Sequence, residues 1–387
     1  MKKIFANLNY LLLLLMIIYT AFGLLMIFSA SSVSTVLRYQ VPTNYFVIHQ
    51  LKWVVLAYLV GIFIVLRIPT GSLAYKIGAF AGIGGSFLLL AVIFTYGKVA
   101  GGAQSWLEIG SNSFQPAEFV KIILIVFLAL YYSLIDKKKK VNIWTMCLPV
   151  ALAVIICVLV VAQPDLGGAL IIAAITGLVF FSLPIGKKEK KTVYKLGIGA
   201  VLLVAFLVLV CGVTIIKPYQ LKRFDFTEPC AKYSLDTGYQ VCNGYIAIHN
   251  GGLTGVGLGD STQKYLYLPE AHTDFIFPII CEELGLIVGI VVVIGYFVML
   301  FIMLQIAKET DNLRNSILAY GIFSYFLVHI LVNLLGVLGL IPLTGVPLPF
   351  LSYGGSYNVC VVICLFILQR INYENRDAKL RRKIEEL

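Results

Sequence analysis

Charged residues are scarce in this chain: only 13% of its 387 residues are charged, and histidine occurs four times. A soluble domain carries about 25% charged residues, and a disordered chain is poorer in apolar residues than this one. No Cys/His spacing in the sequence matches a metal site. These absences exclude disorder, a secreted disulfide scaffold and an ordinary cytoplasmic enzyme.

Apolar residues, by contrast, make up 60% of the chain, and the mean hydropathy is +0.93. A helix that crosses a bilayer needs about 20 predominantly apolar residues. Ten apolar runs, some of them shorter than this, are candidate spans: 10–30, 53–65, 77–96, 118–134, 144–162, 168–183, 193–216, 274–304, 317–341 and 358–368. They predict an all-α polytopic membrane protein with about ten transmembrane helices.

The basic residues indicate how these helices are oriented. Of the 30 Lys and Arg residues, 21 lie before the first run, in every second loop after it, or behind the last run. Lys and Arg are retained on the cytoplasmic side of a membrane, so both termini are predicted to be cytoplasmic. The net charge of +11 then reflects cytoplasmic loops, and no nucleic-acid partner is expected. We predict one membrane domain, 1–387, that ends in a basic cytoplasmic tail, 369–387.

One outer loop is much longer than the others. It comprises the 57 residues 217–273, between the seventh and eighth runs, and is rich in Tyr and Gly. Loops of this length are usually functional or disordered, and this composition favours an ordered extracellular loop. Cys230 and Cys242 both lie in it, where an oxidising compartment permits a disulfide. The sequence leaves open whether that disulfide forms.

Four polar clusters lie at the outer ends of the runs, where ionisable residues are costly and suggest function. The first contains Gln115, Glu118 and Lys121. Pro116 suits the first turn of a helix, and Glu118 and Lys121, three residues apart, share one helix face. The alternative is an interfacial salt bridge in which Lys121 extends toward the headgroups.

The second and third clusters each contain an Asp residue close to the start of a run. Gln163 and Asp165 lie in a short outer turn, where capping of the next helix would by itself explain Asp165. His272, Thr273 and Asp274 lie where the long loop meets the eighth run, and Thr273 or Asp274 could likewise be a helix cap.

The fourth cluster, 345–356, is rich in Pro and Gly and contains Ser352, Tyr353 and Gly354. Irregular backbone near membrane depth persists only where it is buried in protein or lines a polar cavity. All four clusters are therefore consistent with one polar cavity that opens to the outer face.

Two further polar pairs lie inside the runs. Glu282 and Glu283 are adjacent and point in different directions, so at most one of them is expected to face the cavity. His329 and Asn333 are four residues apart on one helix face, where interhelical hydrogen bonding is the more common role.

Several of these segments together resemble the SEDS family of bacterial membrane proteins, which includes FtsW, RodA and SpoVE. The resemblance covers nearly the whole chain, and 268–271 and the outer loop are more similar to FtsW and SpoVE than to RodA. Its motifs occur in the family's order: Gly102-Ala103-Gln104-Ser105-Trp106-Leu107, Phe114-Gln115-Pro116-Ala117-Glu118, Gln163-Pro164-Asp165-Leu166-Gly167, Gly255-Val256-Gly257-Leu258-Gly259, Pro269-Glu270-Ala271-His272-Thr273-Asp274-Phe275 and Pro347-Leu348-Pro349-Phe350-Leu351-Ser352-Tyr353-Gly354-Gly355-Ser356.

The resemblance implies a peptidoglycan glycosyltransferase in the bacterial plasma membrane. Such an enzyme polymerises lipid II into β-1,4-linked glycan strands on the outer face and releases undecaprenyl pyrophosphate, in cell division or the maintenance of cell shape. The implied partners are a class B penicillin-binding protein and other divisome or elongasome membrane proteins. The implied catalytic residue is Asp274, and the implied substrate-binding residues are Gln115, Glu118, Lys121, Gln163, Asp165, His272, Thr273, Ser352, Tyr353 and Gly354.

The product of this reaction has the inverted anomeric configuration, which calls for a single displacement. A carboxylate that takes the proton from the attacking hydroxyl suits this chemistry, and we assign that role to Asp274. The pyrophosphate leaving group needs positive charge, for which Lys121, oriented by Glu118, is the first candidate. The alternatives are Lys222, Arg223 and Lys264, or a divalent cation such as Mg²⁺ or Mn²⁺.

Two other functions are compatible with ten spans and an internal polar cavity. A lipid II flippase would place polar groups along the cavity into the inner leaflet, whereas here most of them lie on the outer side. A non-catalytic scaffold for a penicillin-binding protein would tolerate the substitution Asp274→Asn.

Overall fold

The computed structural model describes residues 2–100, 103–109, 112–137, 142–184, 191–192, 195, 228–231 and 236–386. Apolar helices dominate this part of the chain because most of it has enough apolar residues to lie in hydrocarbon. The helices are α1 Lys2–Phe5, α2 Tyr10–Leu37, α3 Tyr45–Val60, α4 Leu73–Tyr96, α5 Pro116–Lys137, α6 Ile143–Ala162, α7 Leu166–Ser182, α8 Asp236–Gly251, α9 Ile276–Lys308, α10 Leu313–Val337 and α11 Gly355–Glu385.

Eight helices of the described residues are long and apolar enough to cross a membrane: α2, α4, α5, α6, α9, α10, α11, and α3 together with the π-helical turn Gly61–Val65. The shorter apolar helix α7 has 17 residues. Nine of the ten predicted spans therefore correspond to helices, and the chain is a multi-pass membrane protein. The remaining predicted span, 193–216, lies outside the described residues, apart from residue 195.

The prediction of an all-α fold is incomplete, because three short strands connect α4 to α5. The strands β1 Lys98–Ala100, β2 Ala103–Ile109 and β3 Asn112–Phe114 pair antiparallel in the order β1-β2-β3. Two residues separate each strand from the next, Gly-Gly at 101–102 and Gly-Ser at 110–111. Such dipeptides are typical of tight hairpin turns, so the sequence contained this signal.

Helix α11 is much longer than the predicted span 358–368, and it includes most of the predicted tail. It continues to Glu385, and Arg370 and Asn372 are buried in the protein. Arg370 donates to the carbonyl of Leu66 (2.9 Å) and forms an ion pair with Glu374 (3.0 Å). The first part of the tail is therefore packed into the helical bundle.

The start of α2 and the second half of α11 lie at the same end of the bundle. The amide of Gln369 bonds to both backbone groups of Asn9, accepting from its N–H (2.8 Å) and donating to its carbonyl (2.9 Å). Asn372 also donates to the carbonyl of Asn7 (2.9 Å). These contacts place the start of α2 and the second half of α11 side by side, and the cytoplasmic location of both termini stays a prediction.

Helix α9 is interrupted near its outer end. Gly285 has φ 85° and ψ 165°, which is not helical. Around it, the outer segment pairs with the α9 backbone: the N–H groups of Val256 and Gly257 donate to the carbonyls of Glu282 (2.9 Å) and Glu283 (3.0 Å). The break therefore fixes the long outer loop against α9.

The two adjacent glutamates of α9 are both committed to this outer loop. The Glu282 carboxylate accepts from the hydroxyl of Thr262 (2.8 Å) and from that of Ser261. The Glu283 carboxylate accepts from Ser29 of α2 (2.6 Å) and pairs with the buried Lys264 (3.0 Å). Within the part of the chain that the structure describes, these two glutamates hold the outer loop against α9.

A disulfide joins Cys230 to Cys242, which the sequence had left open. It ties the described outer residues 228–231 to α8, the amphipathic helix within the long loop. On α8, Tyr245 donates its hydroxyl to the carbonyl of Leu338, at the end of α10 (2.8 Å). The disulfide, α8 and α10 are thus connected on the outer side of the bundle.

Candidate active site

A small polar cavity lies where α5 and α7 begin, next to the irregular segment that follows α10. Its volume is about 30 Å³, which holds roughly one or two water molecules. The residues that line it are Gln115, Glu118, Lys121, Asp165, Gly168, Ile171, Thr344, Gly345, Val346 and Pro347. Four of the predicted substrate-binding residues therefore meet here, although they come from two separate sequence motifs.

Glu118 and Lys121 form a buried ion pair on the first turns of α5. The Lys121 Nζ lies 2.7 Å from Glu118 Oε1, and the two residues are only 1% and 3% exposed. Of the two roles left open by the sequence, Lys121 extending to the headgroups is therefore wrong. Because breaking a buried pair leaves an uncompensated charge, each residue holds the other in place.

Two side chains from α10 complete the surroundings of this ion pair. The Nε2 of His329 lies 3.5 Å from Lys121 Nζ and 4.0 Å from Glu118 Oε2. The hydroxyl of Tyr325 lies 3.5 Å from Glu118 Oε2. The packing of α5 against α10 thus supplies the ion pair with polar neighbours.

Asp165 is both a helix cap and part of the cavity wall. Its Oδ1 accepts from the N–H of Gly168 at the start of α7 (2.7 Å), as the capping interpretation predicts. Its Oδ2 accepts from Gln115 Nε2 (3.3 Å), which joins the start of α5 to that of α7. Gln163 is buried and donates to the carbonyl of Leu90 on α4 (2.9 Å), so it connects helices and does not line the cavity.

Asp274 is half-buried beside the same cavity. The N-cap position of α9 is Phe275, the residue after Asp274, and Phe275 makes no side-chain cap bond. Asn333 of α10 donates to the backbone carbonyls of Asp274 (2.9 Å) and Val346 (2.8 Å). A Cβ atom on Gly345, which lines the cavity, would lie 3.3 Å from Asp274 Oδ2. The carboxylate therefore borders the cavity wall.

The segment before α11 is fastened to the residues around Asp274. The hydroxyl of Ser352 donates to the carbonyl of Thr273 (2.7 Å) and accepts from the N–H of Leu348 (2.8 Å). The N–H of Gly354 donates to Gln50 Oε1 (3.1 Å). Ser352, Thr273 and Gly354 therefore shape the backbone, and substrate contact by their side chains or backbone stays a prediction.

His272 and Tyr353 lie in an aromatic cluster rather than in the cavity wall. The His272 ring packs 4.5 Å from the Phe46 ring and 5.6 Å from the Tyr353 ring, and the N–H of Tyr353 donates to the His272 carbonyl (2.9 Å). Burial, with a smaller contribution from Arg38, lowers the pKa of His272 to about 4. The ring is therefore neutral at physiological pH, and its predicted role in substrate binding is not reflected in this packing.

Of the alternative cations, Lys264 is buried, pairs with Glu283 and donates to the carbonyl of Gly259, and it is not among the residues that line the cavity. Lys222 and Arg223 lie outside the described residues. Among the described residues, no three His, Cys, Asp or Glu side chains are grouped so that they could hold a metal ion.

Helix α10 takes part in the site in a way that the sequence motifs did not predict. The spacing of His329 and Asn333 predicted a shared helix face, and both are buried as expected. They contact Lys121 of α5, the backbone of Asp274 before α9, and the 344–347 segment rather than each other. Tyr325, one turn before His329, continues the same row and could have been found from that spacing.

The chain is similar to known bacterial proteins over nearly its whole length. The family model described as “Cell cycle protein” (FtsW/RodA/SpoVE) matches residues 9–377. The chain is 38% identical to the probable peptidoglycan glycosyltransferase FtsW of Bacillus subtilis (strain 168), covering 100% of this chain and 96% of that protein. It is 31% identical to stage V sporulation protein E of the same organism, covering 95% and 98%.

Solved structures share the fold at lower identity. A chain from “Structural coordination of polymerization and crosslinking by a peptidoglycan synthase complex” superposes with a TM-score of 0.72 at 22% identity, covering 95% of this chain and 98% of that one. The rod shape determining protein RodA of Thermus thermophilus gives a TM-score of 0.66 at 23% identity, covering 95% and 97%.

Proposed function

Because the chain belongs to the FtsW/RodA/SpoVE family, we propose that it is a peptidoglycan glycosyltransferase that polymerises lipid II on the outer face of the bacterial membrane. Relatives that cover the whole chain are named peptidoglycan glycosyltransferases, which supports this activity. The names FtsW and stage V sporulation protein E favour a role in division or sporulation over one in elongation. The observation that carries the proposal is the cavity that brings Lys121 close to the segment bordering Asp274.

In the proposed reaction, Asp274 takes the proton from the attacking sugar hydroxyl of the acceptor. The oxygen then forms a bond to the anomeric carbon of the donor, and the bond to the pyrophosphate oxygen breaks on the opposite face. Asn333 fixes the backbone of Asp274 through its carbonyl, and the half-buried carboxylate beside the cavity suits the role of a general base. Negative charge grows on the leaving pyrophosphate, and the buried Lys121 ammonium stabilises it.

The cavity is too small for a sugar, so donor binding requires an opening. The wall beside Asp274 is the irregular 344–347 segment, in which Gly345 has φ 70°. We propose that this segment moves away from α5 and α7 when the pyrophosphate enters. Lys121 then donates to the phosphate oxygens.

A divalent cation at the pyrophosphate is also a proposal. Mg²⁺ usually keeps several waters and binds through one or two carboxylates plus substrate phosphates. Of the two carboxylates that line the cavity, Glu118 is paired with Lys121, so Asp165 would be the protein ligand. The cation would supply charge neutralisation in addition to that of Lys121.

The partner is proposed from the fold neighbour. That neighbour belongs to a complex described as coordinating polymerization and crosslinking. Glycan strands need a transpeptidase to cross-link them, so we propose that a class B penicillin-binding protein assembles with this chain. Other division proteins would join the same assembly.

The decisive experiment is polymerisation of labelled lipid II by purified wild type and Asp274→Asn, each with and without its cognate class B penicillin-binding protein. The substitution keeps the shape of the side chain and removes the base, so we expect a loss of about 10²- to 10⁴-fold. Glycan chain length on a gel is the measurement.

Asp260→Asn is the matched control, because Asp260 is an exposed aspartate of the long outer loop that precedes Asp274. We expect it to polymerise like wild type. Equal chains from Asp274→Asn and wild type would move the base elsewhere. If neither wild type nor any variant made chains, although the proteins were folded and the partner was present, a flippase or a scaffold would be the better interpretation.

A further inference from the structure

Helix α10 carries three polar side chains at intervals of four residues: Tyr325, His329 and Asn333. All three are buried, with exposed fractions of 0%, 0% and 3%. Residues spaced by four share one helix face, and here that face is turned toward the candidate active site. Polar groups at membrane depth are costly, so a row of them calls for a function.

The hydrogen bonds of His329 define which of its nitrogens carries the proton. Its Nδ1 lies 2.8 Å from the carbonyl oxygen of Tyr325. A carbonyl can only accept, so Nδ1 carries the hydrogen and Nε2 has a free lone pair. That lone pair lies 3.5 Å from the ammonium of Lys121, which can only donate. His329 is therefore a neutral acceptor for Lys121.

An ammonium group has three N–H donors, and two of those of Lys121 have partners among the described residues. One donates to Glu118 Oε1 at 2.7 Å and a second is directed at His329 Nε2 at 3.5 Å. Lys121 also lines the cavity, so the third donor remains for a ligand there. Without His329, nothing among these contacts would stop the ammonium from turning to both oxygens of Glu118.

The other end of the same row holds the backbone of Asp274. Asn333 uses both hydrogens of its Nδ2, one for the carbonyl of Asp274 and one for that of Val346. His329 and Asn333 are separated by about 6 Å along the helix axis, the rise of four residues. One rigid helix thus contacts both the candidate cation and the residue that carries the candidate base.

We propose that His329 is a positioning residue, which holds the Lys121 ammonium toward the pyrophosphate site at a distance from Asp274 set by α10. This inference rests on the proposed glycosyltransferase function. It differs from a structural role because it requires the acceptor atom Nε2 and not merely an aromatic ring. It also requires Lys121, since His329 would act through that side chain.

Two substitutions separate the acceptor atom from the ring. His329→Phe keeps the ring that packs against Tyr325 and Tyr357 and removes the acceptor, whereas His329→Gln keeps an acceptor without the ring. A hydrogen bond to a charged group corresponds to about 10- to 100-fold in rate, so we expect His329→Phe to lose that much in kcat/KM. Most of the loss should be in kcat, because the pyrophosphate charge grows in the transition state. His329→Gln should stay within several-fold of wild type.

A double-mutant cycle with Lys121→Met tests whether His329 acts through Lys121. The expected result is that His329→Phe causes no further loss when Lys121 is already Met, although each single variant is impaired. The positioning role would be overturned if the losses of His329→Phe and Lys121→Met multiplied in the double variant. It would also be overturned if His329→Gln lost as much as His329→Phe, or if His329→Phe had wild-type kinetics. If wild type itself makes no glycan with its partner, the proposed function fails first, which distinguishes the two conclusions.

Discussion

At the scale of single residues, Gly345 has an unusual backbone conformation and lies next to the candidate base, Asp274. Its φ of 70° lies in the left-handed region, where a side chain costs roughly 1–2 kcal/mol. A Cβ there would also lie 3.3 Å from Asp274 Oδ2, so the carboxylate would have to shift by a few tenths of an ångström. We expect Gly345→Ala to lower polymerisation about 10-fold, because small displacements of a catalytic group are costly.

The control for this prediction is Gly252→Ala. Gly252 also has a left-handed φ, 53°, but a Cβ added there would have no atom within 4 Å. Thermal unfolding in detergent should therefore show a similar loss of stability for both variants, while Gly252→Ala keeps its polymerising activity. Equal losses of activity would mean that only backbone strain, and not the contact with Asp274, matters.

Residue spacing predicted the pairs of side chains within each helix of the site, but not how the helices meet. The three-residue interval between Glu118 and Lys121 indicated an ion pair, and the four-residue interval between His329 and Asn333 indicated a shared face. That the two pairs meet could not be predicted, because it depends on how α5 packs against α10. The proposal of Lys264 as a cation for the pyrophosphate failed for the same reason, because it too depended on tertiary contacts. Lys264 is buried against Glu283 and Ser29, and Ser29 is more than 200 residues away in the sequence.

At the scale of elements, the interruption of α9 has the largest consequence. The sequence predicted one continuous span, 274–304, because the apolar run is unbroken except for Glu282 and Glu283. The adjacency of these two residues was the sequence signal for an interruption. In a continuous helix, two neighbouring carboxylates point in different directions, so partners on one side of the helix could not bond to both. Hairpin dipeptides likewise indicated the strands before α5. Backbone pairing between 252–257 and 282–287 lay beyond the reach of periodicity, because it is set by contacts between distant segments.

Gly285→Ala tests the importance of this interruption. With φ 85° and ψ 165°, Gly285 has a conformation that residues with a side chain essentially never adopt. Its Cβ would lie 2.2 Å from the carbonyl oxygen of Leu253, which is backbone and cannot turn aside. We expect a large fall in the yield of folded protein, because the bonds between the outer loop and α9 would be lost. Size-exclusion profiles and thermal unfolding are the measurements.

Gly177→Ala in α7 is the comparison. Gly177 is in regular helix, and nothing lies within 4 Å of a Cβ there. Ala is favoured over Gly in helices by about 1 kcal/mol, so this variant should be at least as stable as wild type. A Gly285→Ala protein that folds as well as Gly177→Ala would show that α9 can continue without a break.

At the scale of the whole molecule, two independent features agree on orientation. The alternation of Lys and Arg predicts that the end carrying both termini is cytoplasmic. The disulfide between Cys230 and Cys242 lies on the long loop, which that topology places outside, in the compartment where disulfides persist. The active-site cavity lies near the helix ends that the same topology places on the outer side, which is where lipid II polymerisation takes place in the proposed function.

Cys242→Ser tests this orientation directly. The substitution releases Cys230, which is exposed, as a free thiol. A membrane-impermeant maleimide should therefore label the variant in intact spheroplasts or protoplasts but leave wild type unlabelled until a reductant is added. The other free cysteines of the described residues are buried or half-buried, which keeps the background low. Labelling that appears only after the membrane is permeabilised would place the long loop and the candidate active site on the cytoplasmic side, and would contradict both the topology and the proposed function.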